Sequence, residues 1–293
     1  VQGASAAANL GAVAVVIRSI GTSDERFAHT GRMIYDVNAP RIPAFSLSNP
    51  DADTLSRQLQ TNKQVRLRLK STAREMPPAW SANVIGEIPG TDRASEIVLL
   101  GAHLDSWDLG QGALDDGAGV AIVVEAARLI SRLDRKPSRT IRVVLFANEE
   151  FGLSGAKEYA RLIGDEHARH VLAMEADTGI GPVIRLETQV APESLGAIEK
   201  MRAAMQPLPI EGGSNTASGG ADLGPLRSLG VPVLDPVLDA SLYFDVHHTM
   251  NDTLAKVDAK ALDQSVAAYA VAAYLAATKQ GDFGRLAPVP FDR

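Results

Sequence analysis

The sequence predicts an α/β fold built on a mostly parallel β-sheet that is covered by helices on both faces. From Trp80 onward, short apolar runs alternate with amphipathic helical segments along the 293-residue chain. Strands that are buried on both faces read as continuous apolar runs, which is typical of parallel sheets in α/β domains. The segment 117–133 carries apolar residues at helical spacing, at positions 120, 123, 124, 127 and 130. These observations predict helices that pack against a central sheet.

The predicted elements follow one another in an alternating order after Trp80. We expect strands at residues 81–87, 97–102, 141–147, 171–175, 183–187 and 231–234, and helices at 117–133, 155–163, 192–205 and 259–279. The segment 211–224 is rich in glycine and serine. Since strand-like and helical segments continue beyond it, we interpret it as the wall of a site rather than as a linker.

Residues 1–75 form a separate small α/β unit in this prediction. It contains a helix at 4–10, strands at 12–17 and 42–47, a helix after Asn49–Pro50–Asp51, and an alternating strand at 64–70. The segment 70–78 ends in Pro77–Pro78 and marks the boundary. The predicted domains are therefore 1–75 and 79–282, followed by a C-terminal tail at 283–293.

The composition is that of an ordinary globular protein, with 45% hydrophobic residues, 22% charged residues and a net charge of −6. The sequence has no basic run that would indicate nucleic-acid binding and no apolar stretch of the length of a membrane-spanning helix. It contains no cysteine, which excludes disulfides, thiolate metal ligands and a cysteine nucleophile. The chain begins at Val1, so we expect a processed or truncated N-terminus.

Acids and histidines follow the predicted strands at their carboxyl ends, where open α/β sheets bind ligands. The stretch GAHLDSWDLGQGALDDGAG, residues 101–119, directly follows an apolar strand. Carboxylates that lie so close together repel one another and need a positive partner. Nitrogen and oxygen donors of this kind suit zinc, or less selectively cobalt or manganese. The candidate donors are His103, Asp115, Asp116, Glu150, Asp177 and His248.

Two metal ions need about five ligands when one carboxylate bridges them, and the sequence offers that number. Asp115 or Asp116 is the bridging candidate, while His103 and His248 each serve one ion and Glu150 and Asp177 complete the sets. Asp105 lies two residues after His103, so we expect its carboxylate to accept the second N–H of the imidazole. Glu149 is the candidate general base. Asp116 is alternatively the cap of the following helix.

Together these motifs resemble the co-catalytic dizinc exopeptidases that include secreted leucyl aminopeptidases and glutamate carboxypeptidases. The most similar subgroup is that of plasma glutamate carboxypeptidase, or carboxypeptidase Q. The motifs GAHLDSWDLGQGALDDGAG, FANEEFGLSGAKEYA, MEADTG, GGADLGPLRSLGVPV and HHTMNDT occur in family order over about residues 80–280. The resemblance implies the zinc exopeptidase, phosphorylase/hydrolase-like fold.

The resemblance also implies a role for each site residue. Asp115 would bridge two zinc ions, one completed by His103 and Asp177 and the other by Glu150 and His248, with cobalt or manganese as substitutes. Glu149 would be the general base acting on a metal-bridging water. The peptide bond between Asp115 and Asp116 would be cis, so that Asp116 matters for backbone geometry. His247 is, as a hypothesis, a hydrogen-bond donor to the developing oxyanion.

Further expectations depend on the resemblance alone. The segments GAVAVVIRSIGTSDERFAHTG and IPAFSLSNPDADTL resemble part of the protease-associated domain of the subgroup. The implied substrates are short peptides, which would be cleaved by aminopeptidase or dipeptidase action rather than by carboxypeptidase action. The implied location is secreted or periplasmic, and the resemblance is compatible with a homodimer.

Two other functions fit the same fold: a single-metal amidase or acyltransferase, and a non-catalytic binding or receptor module. The complete set of five donors argues against both. Several other polar and aromatic residues have simpler interpretations. Asp222 and Ser154 are expected to be helix N-caps. The three remaining histidines, His29, His167 and His170, are expected at the surface. The two tryptophans, Trp80 and Trp107, are expected in a core or in a pocket wall.

Overall fold

The computed structural model describes residues 2–61, 64–179 and 181–291. The chain divides into two compact units. The first comprises residues 1–80, 107–111 and 244–252, and the second comprises residues 81–106, 112–243 and 253–293. Among the described residues, no helix is both long enough and apolar enough to cross a membrane.

The first unit contains a two-stranded parallel sheet and two helices. Its elements are α1 (Gly3–Asn9), β1 (Val15–Arg18), β2 (Ala44–Leu47) and α2 (Asn49–Thr61). The two strands pair in parallel, with Val15 opposite Ala44.

The strand predicted at 64–70 is wrong, since the described residues 64–70 form no strand. Their alternating leucines remain outside a core, with Leu67 53% and Leu69 39% exposed. An alternating pattern becomes a strand only where a neighbouring strand pairs with it and buries one face. In the described part of this unit, β1 and β2 pair with each other and with no third strand.

The second unit contains a mixed sheet with helices around it. Its elements are β3 (Val84–Ile88), β4 (Arg93–His103), α3 (Ala118–Ser131), β5 (Arg139–Phe146), α4 (Ser154–Ile163), β6 (His170–Glu175), β7 (Val183–Gln189), α5 (Leu195–Ala204), β8 (Glu211–Gly212), α6 (Gly224–Ser228), β9 (Val233–Leu238) and α8 (Ala259–Thr278). A further short helix, α7 (Tyr243–Val246), begins in the second unit and continues into the last segment of the first. The short strand β8 lies at the start of the glycine- and serine-rich segment 211–224.

The sheet has the strand order β3-β5-β4-β6-β9-β7-β8. Its four central strands β5, β4, β6 and β9 run parallel to one another. The strand β3 is antiparallel to β5, and β7 is antiparallel to β9. The α/β fold class is therefore confirmed, with a sheet that is mixed at both edges and parallel where the predicted site residues emerge.

Burial on both faces of β4 explains its continuous apolar run. Val98 and Leu100 belong to the cluster that includes Ile122 of α3 and Tyr269 of α8. Leu99, between them, belongs to a second cluster with residues of α4 and α6. All three β4 side chains are fully buried. Such a strand needs apolar residues at consecutive positions, because successive side chains point to opposite faces.

The N-terminus of α3 packs directly against the chain that leaves β6. A Cβ atom at Gly119 would lie 2.0 Å from the carbonyl oxygen of Ala176 and 2.2 Å from Oδ1 of Asp116. Only glycine permits this approach. The close contact brings the turn before α3 beside Asp177, which directly follows Ala176.

Outside the candidate active site, three of the simpler interpretations are wrong. His170 is fully buried, with its Nε2 2.8 Å from the Tyr159 hydroxyl, and burial lowers the pKa of His170 to about 4. Ser154 is the first residue of α4 rather than its N-cap, and its hydroxyl accepts a hydrogen bond from Asn148. Trp80 is fully exposed and belongs neither to a core nor to a pocket wall. The N-cap of α8 is Asp258, whose side chain accepts hydrogen bonds from the amides of residues 260 and 261.

Candidate active site

His103 is the last residue of β4 and is buried, with 1% of its surface exposed. Its Nδ1 lies 2.9 Å from the backbone carbonyl oxygen of Asp105, and this contact orients the ring. Its Nε2 lies 3.1 Å from Asp115 Oδ1 and 3.2 Å from Asp177 Oδ1. Burial alone would lower the pKa of His103, but hydrogen bonds with these aspartates raise it far above its ordinary value. A single nitrogen thus faces two carboxylates that demand a positive charge.

The turn between β4 and α3 carries two adjacent buried aspartates. The peptide bond between Asp115 and Asp116 is cis, as the family resemblance implies. Asp116 Oδ2 accepts a hydrogen bond from the His103 amide at 2.9 Å, and Oδ1 accepts one from the Gly119 amide at 3.1 Å. Asp116 therefore connects the end of β4 to the first turn of α3. Burial, followed by the charge of Asp177, raises the pKa of Asp116 well above its ordinary value.

Asp105 holds the turn that follows β5. Its carboxylate accepts hydrogen bonds from the backbone amides of Glu149 at 2.9 Å and Glu150 at 3.2 Å. Its Oδ1 is 3.7 Å from His103 Nδ1, which is beyond hydrogen-bond distance. The predicted contact is thus corrected: the backbone carbonyl of Asp105 orients His103, and its carboxylate fixes the two glutamates. The carboxylate satisfies two amides that have no strand partner, which explains this choice.

Five residues of the second unit form what we call the carboxylate cluster: His103, Asp115, Asp116, Glu150 and Asp177. One donor atom from each of His103, Asp115 and Glu150 lies within 4.8 Å of the others, and the same holds for His103, Asp116 and Asp177. Imidazole nitrogen and carboxylate oxygen are the zinc ligands that a cysteine-free chain offers. The buried excess of negative charge fits a divalent cation.

Glu149 stands beside this cluster with an elevated affinity for a proton. Burial raises its pKa to about 7, and the charge of Asp177 adds to this effect. A carboxylate with a pKa near neutrality is suited to accept a proton and release it again. This property distinguishes Glu149 from Asp105, whose pKa is lowered by its hydrogen bonds although burial opposes this.

Asp222 is a feature of the second unit that the sequence interpretation missed. It is 1% exposed, and neither carboxylate oxygen has a hydrogen-bond partner within residues 2–61, 64–179 and 181–291. The N-cap of α6 is Leu223, so the prediction that Asp222 caps this helix is wrong. The amides of Asp222 and Leu223 instead donate to the carboxylate of Glu175, at 3.2 and 3.0 Å. Burial, together with the charge of Glu149, raises the pKa of Asp222 to about 8.

The predicted site histidines of the first unit belong to what we call the histidine cluster: His29, His247 and His248. One nitrogen atom from each ring lies within 4.8 Å of the others. The rings of His247 and His248 stack at a centroid distance of 3.6 Å. His29 is 9% exposed, so its predicted place at the surface is wrong. The ring of Trp107 lies 5.5 Å from that of His248, which places this tryptophan at the edge of the cluster.

The family of the chain follows from a direct comparison with family models. Residues 83–273 match the model of peptidase family M28, and this range includes every residue of the carboxylate cluster. The chain belongs to peptidase family M28. The resemblance drawn from the sequence motifs is therefore confirmed at the level of the family.

The M28 chain is similar in sequence to carboxypeptidases Q from vertebrates. It is 35% identical over 276 residues to carboxypeptidase Q of Pongo abelii and, over the same length, to that of Homo sapiens. Each match covers 94% of this chain and 58% of the relative. The chain thus spans somewhat more than half the length of the curated relatives that it matches.

Two solved structures show a similar fold. A peptidase M28 precursor from Shewanella amazonensis is 47% identical, with a TM-score of 0.89 over 98% of this chain and 65% of that one. A zinc aminopeptidase from Bacillus subtilis has a TM-score of 0.64 at 18% identity, over 94% of this chain and 67% of that one. At this lower identity the likeness supports the fold alone.

In this M28 chain, the structure divides the predicted site residues between the two units. The predicted ligands of the carboxylate cluster, the base candidate Glu149 and the orienting residue Asp105 all belong to the second unit. His247 and His248 belong to the first unit. Two residues were missed by the sequence interpretation, His29 and Asp222. Asp222 lies in the family motif GGADLGPL, and this position is the sequence signal that could have marked it as more than a helix cap.

Proposed function

We propose that this chain is the metal-binding part of a zinc-dependent exopeptidase that hydrolyses terminal peptide bonds of short peptides. We propose aminopeptidase or dipeptidase action rather than carboxypeptidase action, as the family resemblance implies. A secreted or periplasmic location and a homodimer are parts of the same proposal, and they rest on the resemblance alone.

One observation carries this proposal. The Nε2 atom of the buried His103 faces carboxylate oxygens of Asp115 and Asp177 at 3.1 and 3.2 Å, while its Nδ1 is oriented by a backbone carbonyl. Metal-bound histidines commonly show this arrangement, in which one nitrogen is a ligand and the other is held by a second partner. A divalent ion offsets the repulsion among the carboxylates better than a single proton does.

We assign the ligands as the family pattern suggests. Asp115 would be shared by two ions, of which one would also be held by His103 and Asp177 and the other by Glu150 and His248. The donor groups found around His103 support the assignments in the second unit. The assignment of His248 rests on the family pattern. Bound zinc supplies a Lewis acid that polarises the scissile carbonyl and lowers the pKa of water.

The other roles fall to side chains of this protein. Glu149 accepts a proton at its carboxylate from the attacking water and returns it to the leaving amine, which its pKa near 7 permits. Asp105 keeps Glu149 and Glu150 in place through their amides. Asp116 fixes the turn that carries Asp115. His247 donates a hydrogen bond to the developing oxyanion, a role that rests on the resemblance alone.

The test combines metal analysis with a substitution of the base. Purified protein is dialysed, loaded with zinc and assayed with leucyl and alanyl anilides and with dipeptides. We expect two zinc ions per chain. We also expect kcat/KM of the Glu149→Gln variant to fall by about 100- to 10,000-fold, while both ions are retained. Glu158→Gln is the matched control, since Glu158 pairs with Arg161 on the exposed face of α4.

The outcomes separate the alternatives. One ion per chain with hydrolysis of an acyl-amide substrate would favour a single-metal amidase. Zinc binding without turnover of any peptide or anilide would favour a non-catalytic binding module. An unchanged rate in Glu149→Gln would remove this residue from the proposed reaction.

A further inference from the structure

Asp177 lies two residues beyond the end of β6, in a segment whose backbone is bound from several directions. The strand ends at Glu175, so the backbone groups that follow it need partners outside the strand. The amide of Ala176 donates to the carbonyl oxygen of Gly101 in β4 at 2.9 Å. The carbonyl oxygens of Glu175 and Asp177, on either side of Ala176, each accept a hydrogen bond from a tyrosine hydroxyl.

The two tyrosines belong to different elements of the second unit, and we call them the tyrosine clamp. Tyr269 of α8 donates to the carbonyl oxygen of Glu175 at 2.6 Å. Tyr243, the first residue of α7, donates to the carbonyl oxygen of Asp177 at 3.4 Å. Tyr269 is fully buried and Tyr243 is 4% exposed. Both tyrosines and the segment that they hold belong to the second unit.

The two hydroxyls differ in the strength of the bond that each one donates. A tyrosine hydroxyl has an ordinary pKa of about 10, so it keeps its proton at neutral pH and can donate it to a carbonyl oxygen. Burial raises the pKa of both Tyr243 and Tyr269 further. The Tyr269 bond is short for a hydroxyl donor, whereas the Tyr243 bond is long. Tyr269 is therefore the stronger anchor.

The clamp acts at the point that sets the direction of the Asp177 side chain. Because a peptide unit is planar, a bond to its carbonyl oxygen restrains the orientation of the whole unit. The two tyrosine bonds, together with the amide of Ala176, therefore restrain the backbone immediately before and after Asp177. In this arrangement Asp177 Oδ1 lies 3.2 Å from Nε2 of His103.

We propose that Tyr243 and Tyr269 are positioning residues for Asp177, which hold its carboxylate in the direction where it shares a metal ion with His103. This inference rests on the role of Asp177 as a metal ligand in the proposed function. It gives two buried tyrosines a part in metal binding, although neither is a member of the five-donor set. The clamp acts through the backbone, as other groups that orient metal ligands do through side chains.

The first test is a zinc titration of the metal-free protein by calorimetry, at a temperature where every variant is folded. Tyr269→Phe removes the hydroxyl and keeps the ring. We expect it to weaken binding of one of the two zinc ions by about 10- to 100-fold. Tyr243→Phe should weaken the same ion by about 2- to 10-fold, since its bond is longer. Wild-type affinity in both variants would overturn the inference. If Tyr269→Phe does not fold, the result for Tyr243→Phe decides alone.

Two matched controls separate positioning from a general loss of stability. Tyr274 lies on the same helix as Tyr269, and its hydroxyl donates to the carbonyl oxygen of Arg135 at 3.1 Å. Tyr159 matches Tyr269 in burial, at 3% exposed, and its hydroxyl lies 2.8 Å from Nε2 of His170. Tyr274→Phe and Tyr159→Phe should lose stability but keep the zinc affinity of the wild type. An equal fall in zinc affinity in Tyr159→Phe would overturn the inference.

A spectroscopic test reports the geometry of the site. Cobalt is bound in place of zinc, and the visible absorption bands of the cobalt protein depend on the arrangement of its ligands. We expect these bands to shift in Tyr269→Phe and to remain those of the wild type in Tyr274→Phe. Bands that are identical in Tyr269→Phe and the wild type would overturn the inference, because the ligands would then have kept their arrangement.

The results also distinguish this inference from the proposed function. Asp177→Asn is the reference variant, and we expect it to lose one of the two zinc ions. If it does so while both tyrosine variants bind zinc as the wild type does, the clamp fails and the ligand assignment stands. If Asp177→Asn keeps both ions with wild-type affinity, the assignment of Asp177 fails and the present inference fails with it. Neither answer requires a measurement of activity.

Discussion

The carboxylate cluster and the histidine cluster differ in what holds their side chains together. In the carboxylate cluster, a single imidazole faces several acids, and burial with mutual repulsion raises the pKa values of Asp116 and Glu149. In the histidine cluster, the side chain of His248 is bound to a backbone carbonyl and its neighbours are other imidazoles. The first cluster is short of positive charge. The second is a set of three imidazole rings whose nitrogen atoms lie close together.

Because of this difference, the two clusters would bind a metal ion for different reasons. For the carboxylate cluster, a cation removes an electrostatic cost that is present whenever the ion is absent. The histidine cluster consists of imidazoles and includes no carboxylate whose charge an ion would offset. Removal of metal should therefore destabilise the second unit through electrostatics, and should affect the first unit much less.

The largest expected effect is that of removing the bridging candidate. Asp115→Ala should lose both zinc ions and should lower kcat/KM by at least about 1,000-fold, because Lewis-acid activation is worth several kcal/mol. Metal analysis of the purified variant and an anilide assay measure this. Asp134→Ala, at an exposed loop position, is the control. Retention of both ions in Asp115→Ala would place the metal elsewhere.

The next effect concerns the carboxylate that fixes the two glutamates. Asp105→Asn keeps the shape of the side chain but leaves one oxygen to accept from two amides, so the turn at Glu149 and Glu150 loosens. We expect zinc affinity to fall by about 10- to 100-fold, as for other residues that orient metal ligands. Zinc titration of the metal-free protein measures it. An affinity equal to that of the wild type would mean that the amide contacts do not position Glu150.

The sequence was informative wherever a local pattern determines the outcome. Consecutive apolar residues at Ile97–Leu100 predict a strand buried on both faces, because each residue must face a covered side of the sheet, and β4 is such a strand. The peptide bond between Asp115 and Asp116 is cis, as the family motif implies. The residues of the carboxylate cluster follow strand ends that the parallel sheet brings to one edge.

The sequence was uninformative wherever a distant contact decides. The surface position predicted for His29 is wrong because its burial depends on His248, which no local pattern announces. Asp105 orients His103 through its backbone rather than its carboxylate, and spacing in a strand cannot distinguish these two contacts. The strand predicted at 64–70 is absent because pairing, not alternation, makes a strand. Asp222 is not a cap because Glu175 takes the amides around it.

A pH-dependent effect on stability tests the shortage of positive charge directly. Burial, with the charge of Glu149, raises the pKa of Asp222 to about 8 in the folded metal-free protein, whereas the unfolded chain releases this proton near pH 4. The folded state therefore binds more protons between these values, and its stability falls as pH rises towards 8. From pH 6.5 to 7.5, we expect metal-free wild-type protein to lose up to about 1.4 kcal/mol relative to Asp222→Asn.

Urea unfolding of the metal-free proteins at several pH values gives this difference. His170, whose pKa is lowered to about 4, acts in the opposite sense only at lower pH and cancels in the comparison. Asp235→Asn is a control, because the raised pKa of Asp235, about 6, has burial and the nearby Glu187 as its causes. If the stabilities of the wild type and of Asp222→Asn changed in parallel with pH, the raised pKa of Asp222 in the folded protein would be contradicted.

The smallest effect is expected in the first unit. Thr30→Val preserves shape and removes the hydroxyl that donates to the carbonyl oxygen of His248. The amide of residue 30 still satisfies that oxygen, so we expect a loss of about 1 kcal/mol in the free energy of unfolding. Binding of zinc to the carboxylate cluster should be unchanged. Loss of the ion bound by His103 in this variant would contradict the view that different contacts hold the two clusters together.

The central claim is that the acids around His103 are held together by a pair of divalent ions with Asp115 between them. Anomalous diffraction at the zinc edge, on crystals grown with zinc, tests it most directly. The account predicts two peaks about 3.5–4 Å apart, both in contact with the carboxylate of Asp115 and one of them with His103 Nε2. A map with no anomalous peak at the carboxylate cluster, from protein that was saturated with zinc, would contradict it.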